Sequence, residues 1–229
     1  METFARKLEQ LNQDLIAQGD RVVEHTLHAV DSYFESDRDK AMEVIDNDDT
    51  IDRVDVQIER SAVPLLGMGE TDPTSIRAVL LVVKVNNELE RIADCAVDIA
   101  EVVIQPGDHD QPVPPTFRVM ANSVVGMLRD VNRALAEIDA ELALQVLGFD
   151  DAVRQFKREI MFDAQQKVAS GDFPADFAFR LLTVTKALER IADHCTNISE
   201  QVIYLGTGKT VRHAREGWTK PAPPDLPGR

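Results

Sequence analysis

The sequence predicts an all-α protein of two tandem three-helix bundles, six main helices related by an internal pseudo-twofold symmetry. Three observations predict it. Apolar residues recur at three- and four-residue steps along most of the chain, and few segments alternate as a half-buried strand would. The stretch Glu90-Arg91-Ile92-Ala93-Asp94 is written again as Glu189-Arg190-Ile191-Ala192-Asp193, with Val85, Leu89, Ile99, Glu101, Val103 and Ile104 recurring as Val184, Leu188, Ile198, Glu200, Val202 and Ile203. Upstream, Ala41, Val44, Asp48, Asp49 and Ile58 recur as Ala143, Val146, Asp150, Asp151 and Ile160. A duplicated unit of this length means two copies of one small fold.

The first helix is predicted from Phe4 to Phe34, where Leu8, Leu11, Leu15, Val22, Leu27 and Val30 hold one apolar face. Ser36-Asp37-Arg38-Asp39 supplies a cap, and a short helix runs to Ile45. Asn47 or Asp48 then caps a helix from Ile51 to Leu66, with Ile51, Val54, Ile58 and Ala62 on its buried face. Pro64 should end or kink it. After Gly67, Gly69 and Thr71-Asp72, Pro73 suits a first helical turn, and a helix from Thr74 to Ile104 carries the first copy of the repeated stretch.

Residues 106–115, rich in proline, form the joint between a first bundle at 1–105 and a second at 116–213. Phe117 to Leu147 repeats the first long helix and its short extension, stopped by Gly148. Asp150 to Val168 repeats the next helix, Ser170-Gly171-Asp172-Phe173-Pro174 breaks the chain, and Ala175 to Leu205 carries the second copy. The tail at 214–229, with Trp218 and Lys220-Pro221-Ala222-Pro223-Pro224, lacks apolar residues to pack and reads as disordered.

Forty acidic residues against 25 Lys and Arg leave a net charge of −15. Such a surface repels phosphate backbones and argues against general nucleic-acid binding. It suits metal cations or basic patches on partner proteins. Met1 to Lys7 is followed by no apolar segment of signal-peptide length, and the run Ala78 to Val83 falls far short of the ~20 residues that span a bilayer. Cys95 and Cys195 are lone thiols without disulfide or zinc spacing. A cytoplasmic protein without membrane insertion is expected.

On a helix, Glu90, Asp94, Asp98 and Glu101 fall within an arc of roughly 80° beside the apolar face. Like charges one turn apart disfavour a helix by roughly 0.2–0.5 kcal/mol per pair, and Arg91 is not spaced to pair along this ladder. An oxygen-seeking cation would relieve the repulsion. The second copy offers Glu189, Asp193 and Glu200, but Asn197 replaces the third acid and His194 is added. Asp48 and Asp52 form another i,i+4 pair whose counterpart is broken by Arg154. An acidic stripe is most often a solvated face, so metal-bound and metal-free readings both stand. His25 and His28 read as surface residues rather than ligands.

Leu89 to Asp94, its copy Leu188 to His194, then Asn197-Ile198, Glu200, Val202 to Leu205, Gly208-Lys209 and Val211-Arg212-His213 resemble the PhoU proteins of bacterial phosphate regulation. Phe4-Leu8-Leu11 and Asp48-Asp49-Ile51-Asp52 fit the family's opening and second helix. The resemblance implies a symmetric six-helix fold whose acidic motifs can hold iron, zinc or another metal ion. Those motifs fall on Glu90 with Asp94, Asp94 with Asp98, Glu189 with Asp193, and more weakly Asp48 with Asp52. It also implies a dimeric negative regulator between the ATPase of the phosphate-specific ABC transporter and a sensor histidine kinase. A ferritin-like di-metal enzyme is disfavoured because none of the five histidines has Glu three residues before it. No Gly-rich phosphate loop, Ser/His/Asp set or reactive-thiol context appears, so no enzyme is expected.

Overall fold

The computed structural model describes residues 3–69, 72–106 and 111–211. Among them every regular element is helical: α1 Phe4–Glu35, α2 Arg38–Leu66, α3 Pro73–Ile104, α4 Pro115–Glu137, α5 Ala140–Gly148, α6 Asp150–Ser170 and α7 Ala175–Thr207. Helices α1, α2 and α3 pack on one another, α4 to α7 do the same, and the most extensive contact of all joins α3 to α7. The two copies of the repeated stretch therefore stand side by side at the centre. The tail expected at 214–229, with Trp218, and Arg212 and His213 before it lie outside the described residues, as do positions 107–110 of the joint.

The duplication is visible in the caps. Helix α1 ends at Ser36 (φ 53°, ψ 34°) and α4 at Ile138 (φ 52°, ψ 40°), both left-handed. The next residue closes the turn identically: Asp37 N–H donates to Ser32 O and Asp139 N–H to Ala134 O, each at 2.9 Å. Both aspartates then cap the following helix, Asp37 accepting from Lys40 N–H and Asp139 from Glu141 and Leu142 N–H. From Asp37 to Asp139 the spacing is 102 positions. Buried residues of α1 and α4 keep it: Leu15 matches Phe117, Val22 Val124, His25 Met127 and Ala29 Val131.

One boundary differs from the sequence expectation. Helix α2 runs unbroken from Arg38 to Leu66, without a fresh start at Asn47 or Asp48. Asp46-Asn47-Asp48-Asp49 contains no glycine or proline, and buried Val44 and Ile51 on either side keep the helical stripe in register. The second copy is interrupted at Gly148-Phe149, so α5 and α6 together fill the place of α2. Pro64 lies inside α2, which ends two residues later at Leu66. Pro73 opens α3 behind Asp72, whose side chain accepts from Ser75 N–H at 2.8 Å.

Leu89, Ile92 and Ala96 of α3 and Leu188, Ile191 and Ala192 of α7 lie in the core, each 1% exposed or less. Each of the leucines and isoleucines contributes roughly 1.5–3 kcal/mol by leaving water. Cys95 and Cys195 are fully buried free thiols. Burial pushes the Cys95 thiol up to about 11, so it is an inert packing group at neutral pH. At the α1–α4 contact, Tyr33 and Phe34 stack against Phe117, and Arg118 lies 3.9 Å from the Phe34 ring centroid.

Candidate functional site

The apolar side of the first repeated stretch anchors α3 in the core and turns Glu90 and Asp94 towards α2. There Asp48, Asp52 and Asp55, spaced four and three residues apart, share a helical face. Burial pushes the Asp48 carboxyl up to about 6, and Asp52, Asp94 and Asp49 add repulsion. Glu90 is raised by burial and then by Asp94, against the pull of Arg91, with Asp55 and Asp52 adding to the rise. Asp55 is raised by burial, then by Glu59 and Asp52, although Asn86 Nδ2 donates to it at 2.6 Å. These carboxylates feel one another across the α2–α3 groove. Contrary to the spacing argument, Arg91 does reach the ladder: Nε is 3.4 Å from Glu90 and Nη1 3.8 Å from Asp94. Its half-exposed guanidinium is a weak counter-charge.

Asp98 does not join Glu90 and Asp94. Its carboxylate accepts from Arg190 Nη1 at 2.8 Å across the α3–α7 contact. The expected ladder of Glu90, Asp94, Asp98 and Glu101 is therefore divided, because Asp98, its third rung, has turned from α2 to α7.

In the second copy α6 presents Asp150, Arg154 and Lys157 at the positions of Asp48, Asp52 and Asp55. Lys157 Nζ donates to Glu189 at 2.6 Å. Arg154 lies 2.8 Å from Asp150 and 3.9 Å from Asp193. Burial, Asp150 and Glu189 still raise Asp193, opposed by Arg154 and His194. His194 Nδ1 and Asn197 Nδ2 both meet Glu88 Oε2, at 2.7 and 3.0 Å, so His194 is engaged across the α3–α7 contact.

His25 is not the surface residue its spacing suggested; it is 6% exposed, whereas His28 is exposed as expected. Burial, with His28 adding, pushes its pKa down to about 4, so the imidazole is neutral at pH 7. His25 Nε2 stands 3.7 Å from Asp48 Oδ1, and both atoms are buried without a hydrogen-bond partner.

Among the described residues no three His, Cys, Asp or Glu side chains close on a single point as they stand. The donor chemistry nevertheless separates the two clusters. The first, Asp48, Asp52, Asp55, Glu90 and Asp94, is a set of mutually repelling oxygen donors and fits a cation. The second brings its own cations in Arg154 and Lys157 and does not. Asp55 was legible in the sequence as the continuation of the Asp48–Asp52 face. Lys157 and Glu88 carried no signal before their partners across the helix contacts were known.

A family profile described as PhoU domain matches the chain twice, over residues 16–103 and 117–202. The chain is 31% identical over 218 residues to a phosphate-specific transport system accessory protein PhoU homolog of Pseudomonas putida, covering 93% of this chain and 84% of that protein. It is 27% identical over 216 residues to PhoU homolog 1 of Thermotoga maritima, covering 93% of each. The crystal structure of PhoU from Pseudomonas aeruginosa superimposes with a TM-score of 0.84 at 27% identity, over 90% of this chain and all of that one. The phosphate transport system regulatory protein PhoU from Streptococcus pneumoniae shares the fold, with a TM-score of 0.84 at 24% identity over 91% of this chain and 99% of that one.

Proposed function

The chain belongs to the PhoU family, and on that premise we propose that it is an accessory regulator of phosphate uptake. The observation that carries this reading is the pair of PhoU-domain matches that span both halves of the chain. The protein acts by binding rather than by catalysis. It is a cytoplasmic homodimer that works as a negative regulator, docking between the ATPase of a phosphate-specific ABC transporter and a sensor histidine kinase. A net charge of −15 supports attraction to basic patches on such partners. No helix among the described residues is long and apolar enough to cross a membrane.

The adaptor also binds a metal ion, iron or zinc in preference, at the first acidic cluster. Asp48, Asp52, Glu90 and Asp94 hold it, and the ion supplies the positive charge that Arg154 and Lys157 supply in the second copy. Glu189 and Asp193 are left out of metal binding because those two bases already face them. Asp98 is left out because Arg190 holds it.

Deleting the gene is expected to derepress phosphate uptake and phosphate-starvation genes in phosphate-rich medium; unchanged expression rejects the regulator. A pull-down from phosphate-replete cells should recover the transporter ATPase or the kinase. Protein purified without chelator should carry metal that Glu90→Ala with Asp94→Ala removes while the fold survives. Equal metal content in the two proteins leaves a metal-free adaptor.

A further inference from the structure

Four buried polar residues of α1, Gln18, His25, Thr26 and Ser32, stand where α4 buries Met120, Met127, Leu128 and Ala134. Three have hydrogen-bond partners, Gln18 across to α2 and the other two within α1. Gln18 Nε2 donates to Ile51 O, Thr26 Oγ1 to Val22 O and Ser32 Oγ to Ala29 O, each at 2.8 Å. His25 is the exception, for its Nε2 has no hydrogen-bond partner and faces Asp48 Oδ1, which has none either. Their separation of 3.7 Å is too long for a hydrogen bond. It is shorter than two consecutive metal–ligand bonds of about 2.0–2.1 Å each, so one ion can touch both atoms. Asp52 and Asp94 are the nearby acids whose charges raise Asp48, although among the described residues no third His, Cys, Asp or Glu side chain closes on the same point as the rotamers stand. His25, though not Asp48, also lines an open cleft of about 230 Å³ between α1 and α2, beside Arg21, Glu24, His28, Asn47 and Thr50.

We propose that His25 Nε2 is a ligand from α1 that completes the cation site with Asp48, and that this nitrogen selects a borderline transition ion of the zinc or iron(II) class over magnesium and calcium. The inference rests on the metal reading given above and adds its selectivity. Imidazole nitrogen suits zinc and iron, while sites made only of carboxylate and water suit magnesium, calcium and manganese. Met127 at the equivalent position of the second copy removes the nitrogen where Lys157 and Arg154 remove the need for an ion.

The test uses the full chain stripped with chelator and titrated calorimetrically with zinc and, separately, magnesium. His25→Met copies the second bundle's own solution and so should fold, which circular dichroism and thermal unfolding check. Asp52→Asn is the companion variant. The proposal expects zinc to bind the unmodified protein at least tenfold tighter than magnesium. It expects H25M to lose at least tenfold in zinc affinity with magnesium affinity unchanged within twofold, and D52N to weaken both ions. Zinc should also shift the His25 Nε2 resonance in protein labelled with nitrogen-15 histidine. Unaltered zinc affinity in folded H25M, or an unshifted His25 resonance at saturating zinc, overturns the proposal and leaves an all-carboxylate site. No zinc binding by the unmodified chain overturns both the proposal and the metal reading beneath it. Should H25M not fold, the resonance alone decides.

Discussion

In the first half of the chain Asp48, Asp52 and Asp55 on α2 face Glu90 and Asp94 on α3, with half-exposed Arg91 against Glu90 and Asp94. In the second half Arg154 and Lys157 on α6 face Glu189 and Asp193 on α7. The scaffold is one, down to the matching left-handed caps, yet the charge is left unbalanced in one copy and balanced internally in the other. The apolar face of each motif helix is constrained because it lies in the core. The opposite face is free to diverge, and two substitutions on the facing helix suffice to exchange a cation-seeking groove for an ion-paired one.

The largest effects test whether the shared scaffold is equivalent in both halves. Ile92 and Ile191 are matching, fully buried residues, so Ile92→Ala and Ile191→Ala should each cost about 2–5 kcal/mol in urea unfolding. A gap of more than about 2 kcal/mol between them breaks the equivalence at the core.

Exchanging the charges comes next. Arg154→Asp with Lys157→Asp should destabilise the metal-free protein by roughly 1–2 kcal/mol, by removing the pairs and adding like charge. Asp52→Arg with Asp55→Lys should raise metal-free stability by up to about 1 kcal/mol. It should also abolish any increase in melting temperature on adding zinc, since an ion stabilises only by binding the folded state. A zinc-induced increase that survives this exchange places the ion elsewhere.

The pH profile sharpens the comparison further. Asp48 is raised, so its favourable contribution is full below about pH 4 and is lost as pH rises through about 6. His25 is depressed, so its contribution is full above about pH 6.5 and is lost as pH falls through about 4. The two slopes oppose. The stability of the unmodified protein relative to His25→Met should rise from pH 4 to 6.5 and then level off, read by urea unfolding in chelator. A pH-independent difference rejects the buried neutral imidazole.

The smallest effect concerns the caps. Ile138 holds a left-handed conformation that costs a β-branched residue roughly 1–2 kcal/mol, part of which glycine returns as chain entropy. Ile138→Gly should therefore stabilise by about 0.5–1 kcal/mol in thermal unfolding, and Ser36→Gly by less.

Most of the scaffold was legible because its causes are local and periodic. Apolar spacing announced the long helices, Ser36-Asp37-Arg38-Asp39 announced the cap of α2, Pro73 the start of α3, and Gly148 the end of α5. The continuity of α2 was not legible, because Asp46 to Asp49 looks like a cap cluster until the packing of Val44 and Ile51 is known. In the site, the opposition of Asp48 and Asp52 to Glu90 and Asp94 was half visible, as two acidic pairs on different helices. Arg154 announced the break in the second copy. The diversion of Asp98 to Arg190 and the burial of His25 carried no sequence signal, since both depend on a neighbouring helix.

Periodicity and repetition alone determined the helices, their doubling and the residue types available for chemistry, because a helix places its side chains at fixed angles from local sequence. Only tertiary structure decided which carboxylates meet a base and which meet one another. That outcome depends on the face a helix 30 to 100 residues away presents, and Coulomb energies in a half-buried groove change sign with that partner.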